Sequence, residues 1–281
     1  MVNAQEWLDK KYPKKTTWPW QQKREKVKSL AIRRKQLEGT LKLEGFTKLK
    51  KLTLYRNKIG NLDLTDCPNL IKLECLRSEL NNLDLSNCQK LTELWFSGNW
   101  LISVDFLNNI PSRELDNISF YDNIFPRSEL DVFSKFTKLW HLSISRNNFA
   151  GSLEPLKNLT NLKFLNIKDT NICSGLEYLP ASLELFDPCP CFLEEIKCKK
   201  VYQKLMPFSG NYEKWRNSNP DLVAKAQKII ELGNSLDNLN SVLTNVNVDK
   251  TNQTTLQALD IFRFEAQSQI LEMRMELKGK R

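Results

Sequence analysis

The sequence predicts an α/β fold: a solenoid of stacked repeats with a parallel sheet along its concave side, a short N-terminal cap helix and a C-terminal α-helical tail. Three observations carry this. Leu52, Leu62, Leu64, Cys67 and Leu70 return as Leu73, Leu83, Leu85, Cys88 and Leu91, each 21 positions on, and a fixed period of that length marks a stacked repeat. Within each period two apolar residues stand two apart, which places both on one face of a strand. Beyond residue 218 the apolar spacing changes to alternating threes and fours, the pattern of a helix seam.

Residues 1–26 precede the repeats. Ala4 to Lys11 is amphipathic and Pro13 stops it, so a short helix is expected there. The first turn of a solenoid exposes an apolar face that needs a cap, and Trp7, Leu8, Trp18 and Trp20 are the side chains available to cover it. The repeats then occupy residues 27–187. Their central pairs are Leu30/Ile32, Leu52/Leu54, Leu73/Cys75, Leu94/Phe96, Ile118/Phe120, Leu142/Ile144 and Leu165/Ile167, at steps of 22, 21, 21, 24, 24 and 23, with a degenerate turn near Leu183 to Phe186. Three positions past most pairs stands an asparagine: Asn57, Asn99, Asn123 and Asn147. Its amide can bond the backbone of a neighbouring turn where the chain leaves the strand. Lys35, Ser78 and Thr170 replace it elsewhere, and those turns should be less tightly tied. The alternation in Asn61-Leu62-Asp63-Leu64 predicts an extended outer side in the 21-residue turns. Ser128 to Phe136 has helical spacing and predicts a turn or two of helix in the longer ones.

The form L-x-x-L-x-L-x-x-N-x-L, present from Leu49 to Ile59 and again from Leu139 to Phe149, resembles the leucine-rich repeat. The opening Asn3 to Asp9 and the stretches Gly151 to Glu154 and Gly175 to Pro180 further resemble a large, mostly uncharacterised fungal set of such proteins. The resemblance implies a curved solenoid whose concave strands bind other proteins, and it supplies no catalytic motif.

Residues 188–218 read as a C-terminal cap, with Phe192, Leu193, Ile196, Tyr202, Leu205, Phe208, Tyr212 and Trp215 as apolar cover. Asn219 as N-cap with Pro220 at the first position predicts a helix start. Residues 219–281 carry two stripes, Ile229 to Val246 and Leu256 to Leu277, separated by a polar Asn-rich run at 247–252. They predict two helices that pair as a hairpin within the chain or as a coiled coil between two chains, the latter giving a homodimer.

Composition bounds the function. With 41% apolar and 27% charged residues the chain reads as a soluble globular protein. It has neither an apolar run of membrane-crossing length nor an export signal, so a cytoplasmic (or nuclear) location with reduced thiols is expected. The net charge of +9 is uneven: residues 1–60 hold 17 basic and 5 acidic side chains, and the rest hold 25 and 28. His141 is the only histidine, and with no nucleophile motif beside it a catalytic set is not assembled. Cys173, Cys189, Cys191 and Cys198 lack the paired C-x-x-C spacing of a zinc site. No cofactor, metal or catalytic residue is therefore expected.

The expected function is a non-enzymatic protein–protein interaction module whose partner the sequence does not name. Its candidate binding residues on the concave strands are Tyr55, Glu74, Leu76, Glu93, Trp95, Tyr121, His141 and Lys168, since aromatic side chains dominate binding hot spots. A second reading is an adaptor for RNA or an acidic membrane surface through the basic N-terminal end, including Arg24 and centred on Lys28, Arg33, Arg34 and Lys51. Nucleic acid is the less favoured partner because no nucleic-acid-binding module accompanies the charge.

Overall fold

The structure is a computed structural model that describes residues 2–15, 23–111, 114–188, 199–205, 207, 211–245 and 253–279. It divides into two compact units, Met1–Gly210 and Asn211–Arg281. The first is the solenoid. Eight parallel strands form one sheet in chain order: β1 (Ser29–Arg33), β2 (Lys51–Tyr55), β3 (Lys72–Leu76), β4 (Glu93–Trp95), β5 (Asn117–Ser119), β6 (His141–Ser143), β7 (Phe164–Asn166) and β8 (Leu185–Asp187). The register follows the repeat: Leu30, Leu52, Leu73, Leu94, Ile118, Leu142, Leu165 and Phe186 pair along one line. All but Phe186 are buried. Each such side chain contributes roughly 1.5–3 kcal/mol relative to exposure, so a slip of one residue, which would turn them outward, is disfavoured.

The outer side changes character partway along. In the first three turns it is extended: Leu37–Lys42, Lys58–Asp63 and Asn82–Leu83 form a second parallel sheet, and Val2–Asn3 adds a strand at its N-terminal edge. In the longer turns, and in the last turn from Leu165 to Phe186, the outer side carries short 3-10 helices, at Asp105–Asn109, Asp131–Phe133, Glu154–Leu156 and Leu176–Tyr178. The helix expected over Ser128 to Phe136 is thus a single 3-10 turn. The core widens to match. Phe96, Phe106, Phe120, Phe133 and Phe149 form a chain of ring contacts with centroids 5.5–6.4 Å apart, filling the space that the leucines of the shorter turns would leave empty.

The asparagines tie the turns together. Asn99 accepts from the N–H groups of Ser78 and Leu80, both at 3.1 Å, and donates to the carbonyls of Cys75 and Phe96 at 2.5 and 2.9 Å. Asn147 accepts from the Asn123 N–H at 3.1 Å and donates to the Phe120 carbonyl at 2.7 Å. Asn57 holds Lys35 and the Ile32 carbonyl in the same way. Each satisfies buried backbone groups of the preceding turn. Ser78 cannot reach that far, and its hydroxyl donates to Leu76 within its own turn.

Helix α1 (Ala4–Lys11) caps the first turn. Asn3 accepts the Glu6 N–H at 3.0 Å, and Ala4 and Leu8 are fully buried. Trp7 is half-buried, and Trp18 and Trp20 lie outside the described residues. Arg24 corrects the sequence reading. It is only 4% exposed, donates to the carbonyls of Tyr12 (2.7 Å) and Glu44 (3.1 Å), and pairs with Asp9. It fastens the cap to the solenoid and is not part of a basic surface.

After β8 the solenoid unit ends with α2 (Lys199–Leu205), whose Val201 and Leu205 are buried. The cap residues Phe192, Leu193, Ile196 and Phe208 lie outside the described residues. The second unit contains α3 (Tyr212–Asn217), α4 (Pro220–Asn245) and α5 (Gln253–Gly279). The ion pair of Lys225, near the start of α4, with Glu276, near the end of α5, shows that the two long helices run antiparallel within one chain. Ile229, Leu236, Ala266 and Leu277 are buried. Helix α4 begins at Pro220 as expected, but Asn219 turns its amide back to the Trp215 carbonyl (2.7 Å) instead of capping forward.

Candidate functional site

Strand pleating alternates the side chains of the eight-stranded sheet between the core and an outward wall. One column of the wall reads Lys51, Lys72, Glu93, Asn117, His141 and Phe164, and the next reads Thr53, Glu74, Trp95, Ser119, Ser143 and Asn166. Tyr55 and Leu76 end β2 and β3, while Tyr121 and Lys168 lie just past β5 and β7. All eight candidate binding residues are partly exposed on this wall.

Four of them are physically joined. Lys72 Nζ lies 2.8 Å from Glu74 Oε1 and 2.8 Å from Glu93 Oε2. Thr53 donates to Glu74 at 2.8 Å, and Trp95 Nε1 donates to Glu93 Oε2 at 3.2 Å. Burial pushes the Glu74 pKa up, but the bonds from Lys72 and Thr53 outweigh it and leave the carboxyl below its usual range. Burial likewise opposes charge on Lys72, and Glu74 and Glu93 reverse that. Trp95 continues the cluster. Its ring lies 5.5 Å from His141, which stacks on Phe164 at 4.3 Å and 14°. Trp140 meets the other edge of His141 at 5.4 Å. Trp95 and His141 come from β4 and β6, so they meet across Asn117 of β5, which is 4% exposed with its Oδ1 unbonded. Burial lowers the His141 pKa, so the imidazole is neutral at pH 7. The wall thus offers an aromatic face flanked by an ion cluster in which one lysine is shared by two glutamates.

Tyr55 and Tyr121 stand apart from that cluster, each beside arginine. Arg34 and Arg56 lie 5.5 and 5.3 Å from the Tyr55 ring centre, and Arg146 lies 5.6 Å from that of Tyr121. These arginines belong to a column that the sequence reading overlooked. Arg34, Arg56, Arg77, Gly98, Asp122, Arg146 and Asp169 all have φ between 50° and 68°. At the first six, the backbone N–H donates to the next turn at 2.8–3.0 Å. The signal was present, since the column immediately precedes the ladder asparagine in Arg56-Asn57, Gly98-Asn99, Asp122-Asn123 and Arg146-Asn147. Lys28, Arg33, Arg34 and Lys51 of the basic patch are exposed.

Among the described residues no group of three potential metal ligands occurs. Cys173 is exposed, and Cys189, Cys191 and Cys198 lie outside the described residues. Cys67 and Cys88 are buried free thiols whose pKa values burial pushes up to about 12, which leaves them unreactive. No helix among the described residues is long and apolar enough to cross a membrane.

This arrangement of turns is the leucine-rich repeat fold. A leucine-rich repeat protein of Leptospira interrogans superposes with a TM-score of 0.51 at 19% identity, covering 64% of this chain and 47% of that one. The chain therefore spans about half the length of that relative. Internalin C2 of Listeria monocytogenes is also similar, with a TM-score of 0.43 at 17% identity over 58% of this chain and 80% of its own. The repeat ectodomain of the Arabidopsis thaliana receptor kinase GASSHO1/SCHENGEN3, solved in complex with Casparian strip integrity factor 2, matches with a TM-score of 0.46 at 24% identity over 55% of this chain and 20% of its own. The sequence matches no protein-family model and no curated protein. The narrower likeness to a fungal set gains no support from these similarities.

Proposed function

We propose that this chain is a non-enzymatic protein–protein interaction module that takes its partner on the outward wall of the eight-stranded sheet, in the cytoplasm or nucleus. The observation that carries the reading is the Trp95–His141–Phe164 cluster, partly exposed and held in place by the ion network beside it. Pre-ordered aromatic side chains bind at low entropic cost. The asparagine ladder and the parallel register make the wall rigid, so little ordering is needed when a partner docks. Glu74, Glu93, Leu76, Tyr55, Tyr121 and Lys168 are the contacts around that centre.

Affinity capture with the full chain tests this. Trp95→Ala and Tyr121→Ala should each deplete a specific captured protein while the circular dichroism spectrum stays unchanged. Equal capture by both variants and the wild type would remove the wall from consideration.

A second role is suggested by the tail. Phe264, Leu271 and Met275 of α5 are 60–73% exposed although the helix already pairs with α4. Spaced seven and four apart, they fit a seam for a second copy of the chain. Light scattering of the full chain against a version ending at Leu232 separates the cases, and the same stoichiometry for both would reject tail-driven dimers.

A further inference from the structure

Several basic groups around the wall are neutralised within the chain: Lys72 by two glutamates, Lys163 by Glu184, Arg146 by Asp169 at 3.6 Å. Arg34, Arg56 and Arg77 occupy three consecutive turns, are exposed, and form no ion pair among the described residues. Their backbones are pinned in the left-handed conformation by N–H bonds to Tyr55, Leu76 and Ser97. Two of the guanidinium groups lie against the Tyr55 ring from adjacent turns. The third is fixed from the other side: a Cβ on Gly98 would stand 2.9 Å from Arg77 Cγ, so the absence of a side chain there lets the Arg77 stem lie against the next turn.

We propose that Arg34, Arg56 and Arg77, racked around Tyr55, form a docking site for an acidic, carboxylate-rich segment of a protein partner. The proposal rests on the reading of the adjoining wall as a protein-binding surface, of which this is the rim. Three arginines in consecutive turns, their backbones one strand spacing of about 4.8 Å apart, offer a run of positive charge that suits several carboxylates of one segment better than a single compact anion. Arginine bonds carboxylates through two parallel N–H groups. The three cations also converge on the Tyr55 hydroxyl. A hydrogen bond from Arg34 lowers its pKa against the opposing effect of burial, and the charges of Arg56, Arg34 and Arg77 add to the lowering.

The test uses the full chain and a fluorescein-labelled octa-glutamate peptide, followed by fluorescence anisotropy, with octa-glutamine as the neutral control. Octa-glutamate should bind, and its affinity should fall as salt rises. Arg56→Glu and Arg77→Glu should each weaken it by about tenfold or more. Lys48→Glu, the same charge change at an exposed site off the rim, should stay within about twofold. Gly98→Ala, which keeps every charge but displaces the Arg77 stem, should weaken binding severalfold. Trp95→Ala should leave it intact, so the wall and the rim fail separately. Octa-glutamate binding no tighter than octa-glutamine, or an equal loss in Lys48→Glu and Arg56→Glu, would overturn the proposal. So would tighter binding of a single-stranded RNA or of phosphatidylserine vesicles through the same arginines.

Discussion

Replacing Asn99 with alanine tests what holds the turns in register. The side chain is 2% exposed and satisfies two backbone donors, the N–H groups of Ser78 and Leu80, whose residues are each 1% exposed. No other hydrogen bond holds either N–H among the described residues. An orphaned buried donor costs about 1–3 kcal/mol, so two orphans cost about 4 kcal/mol, before the lost bonds to the Cys75 and Phe96 carbonyls. Ser78→Ala, by contrast, removes one 3.2 Å bond within its own turn and should cost about 1 kcal/mol. Urea titration of the full chain, read by tryptophan fluorescence, should show the Asn99→Ala midpoint falling several times further than that of Ser78→Ala. Loss of the lower transition plateau would mean the lesion exceeds the stability of the whole unit. A loss below about 1 kcal/mol, or one no larger than for Ser78→Ala, would show that the ladder amides are incidental and that leucine stacking alone sets the register.

Three further outcomes are expected. The Glu74 pKa is lowered in the folded chain, so its contribution is present above its unfolded value near 4.5 and is lost as pH falls through the folded value. Lys72→Met leaves Glu74 and Glu93 facing each other, so this variant should lose about 1 kcal/mol at pH 7 and recover part of it near pH 4–5; a deficit independent of pH would refute the coupling. His141, with its folded pKa depressed by burial, should titrate below 6.5 in the single histidine signal of an NMR spectrum. The unfolded chain then binds more protons between the two values, so stability falls as pH drops from 6.5 toward the folded pKa. A histidine titrating at or above its ordinary value would contradict the burial of the imidazole. Gly175→Ala sets a Cβ 2.5 Å from Ser152 Oγ and 2.6 Å from the Leu153 nitrogen at φ +94°. It should cost about 2–4 kcal/mol by thermal unfolding, whereas an unchanged midpoint would show that the backbone there is free to relax.

What could be seen from the sequence was whatever repeats with a short period. The strands of the sheet, their register and the ladder asparagines follow from apolar residues two apart inside a recurrence of 21–24. The wall columns followed because that recurrence aligns them. The Lys72–Glu74–Glu93 cluster joins a neighbour two along with another 21 along, and a reading of columns one at a time does not show it. Arg24 was misplaced because a charge count cannot distinguish a solvated cation from one enclosed by two carbonyls and an aspartate. The left-handed column was overlooked because arginine has no preference for positive φ. There the hydrogen bond to the next turn imposes the conformation, and the residue type follows other demands. The two tail stripes fit a hairpin and a two-chain coil equally, and the pairing of α4 with α5 within the chain, including the Lys225–Glu276 contact, could not be read from their spacing.

That column has an evolutionary consequence. Seven successive turns each place one residue in the left-handed conformation, and arginine, aspartate and glycine already occupy it in this one chain. Exchanging arginine and aspartate there leaves the leucines and the amide ladder untouched, whereas Gly98 takes no side chain without displacing Arg77. The edge therefore works as a row of interchangeable keys, through which a lineage can retune which molecules it attracts without refolding the scaffold that carries them.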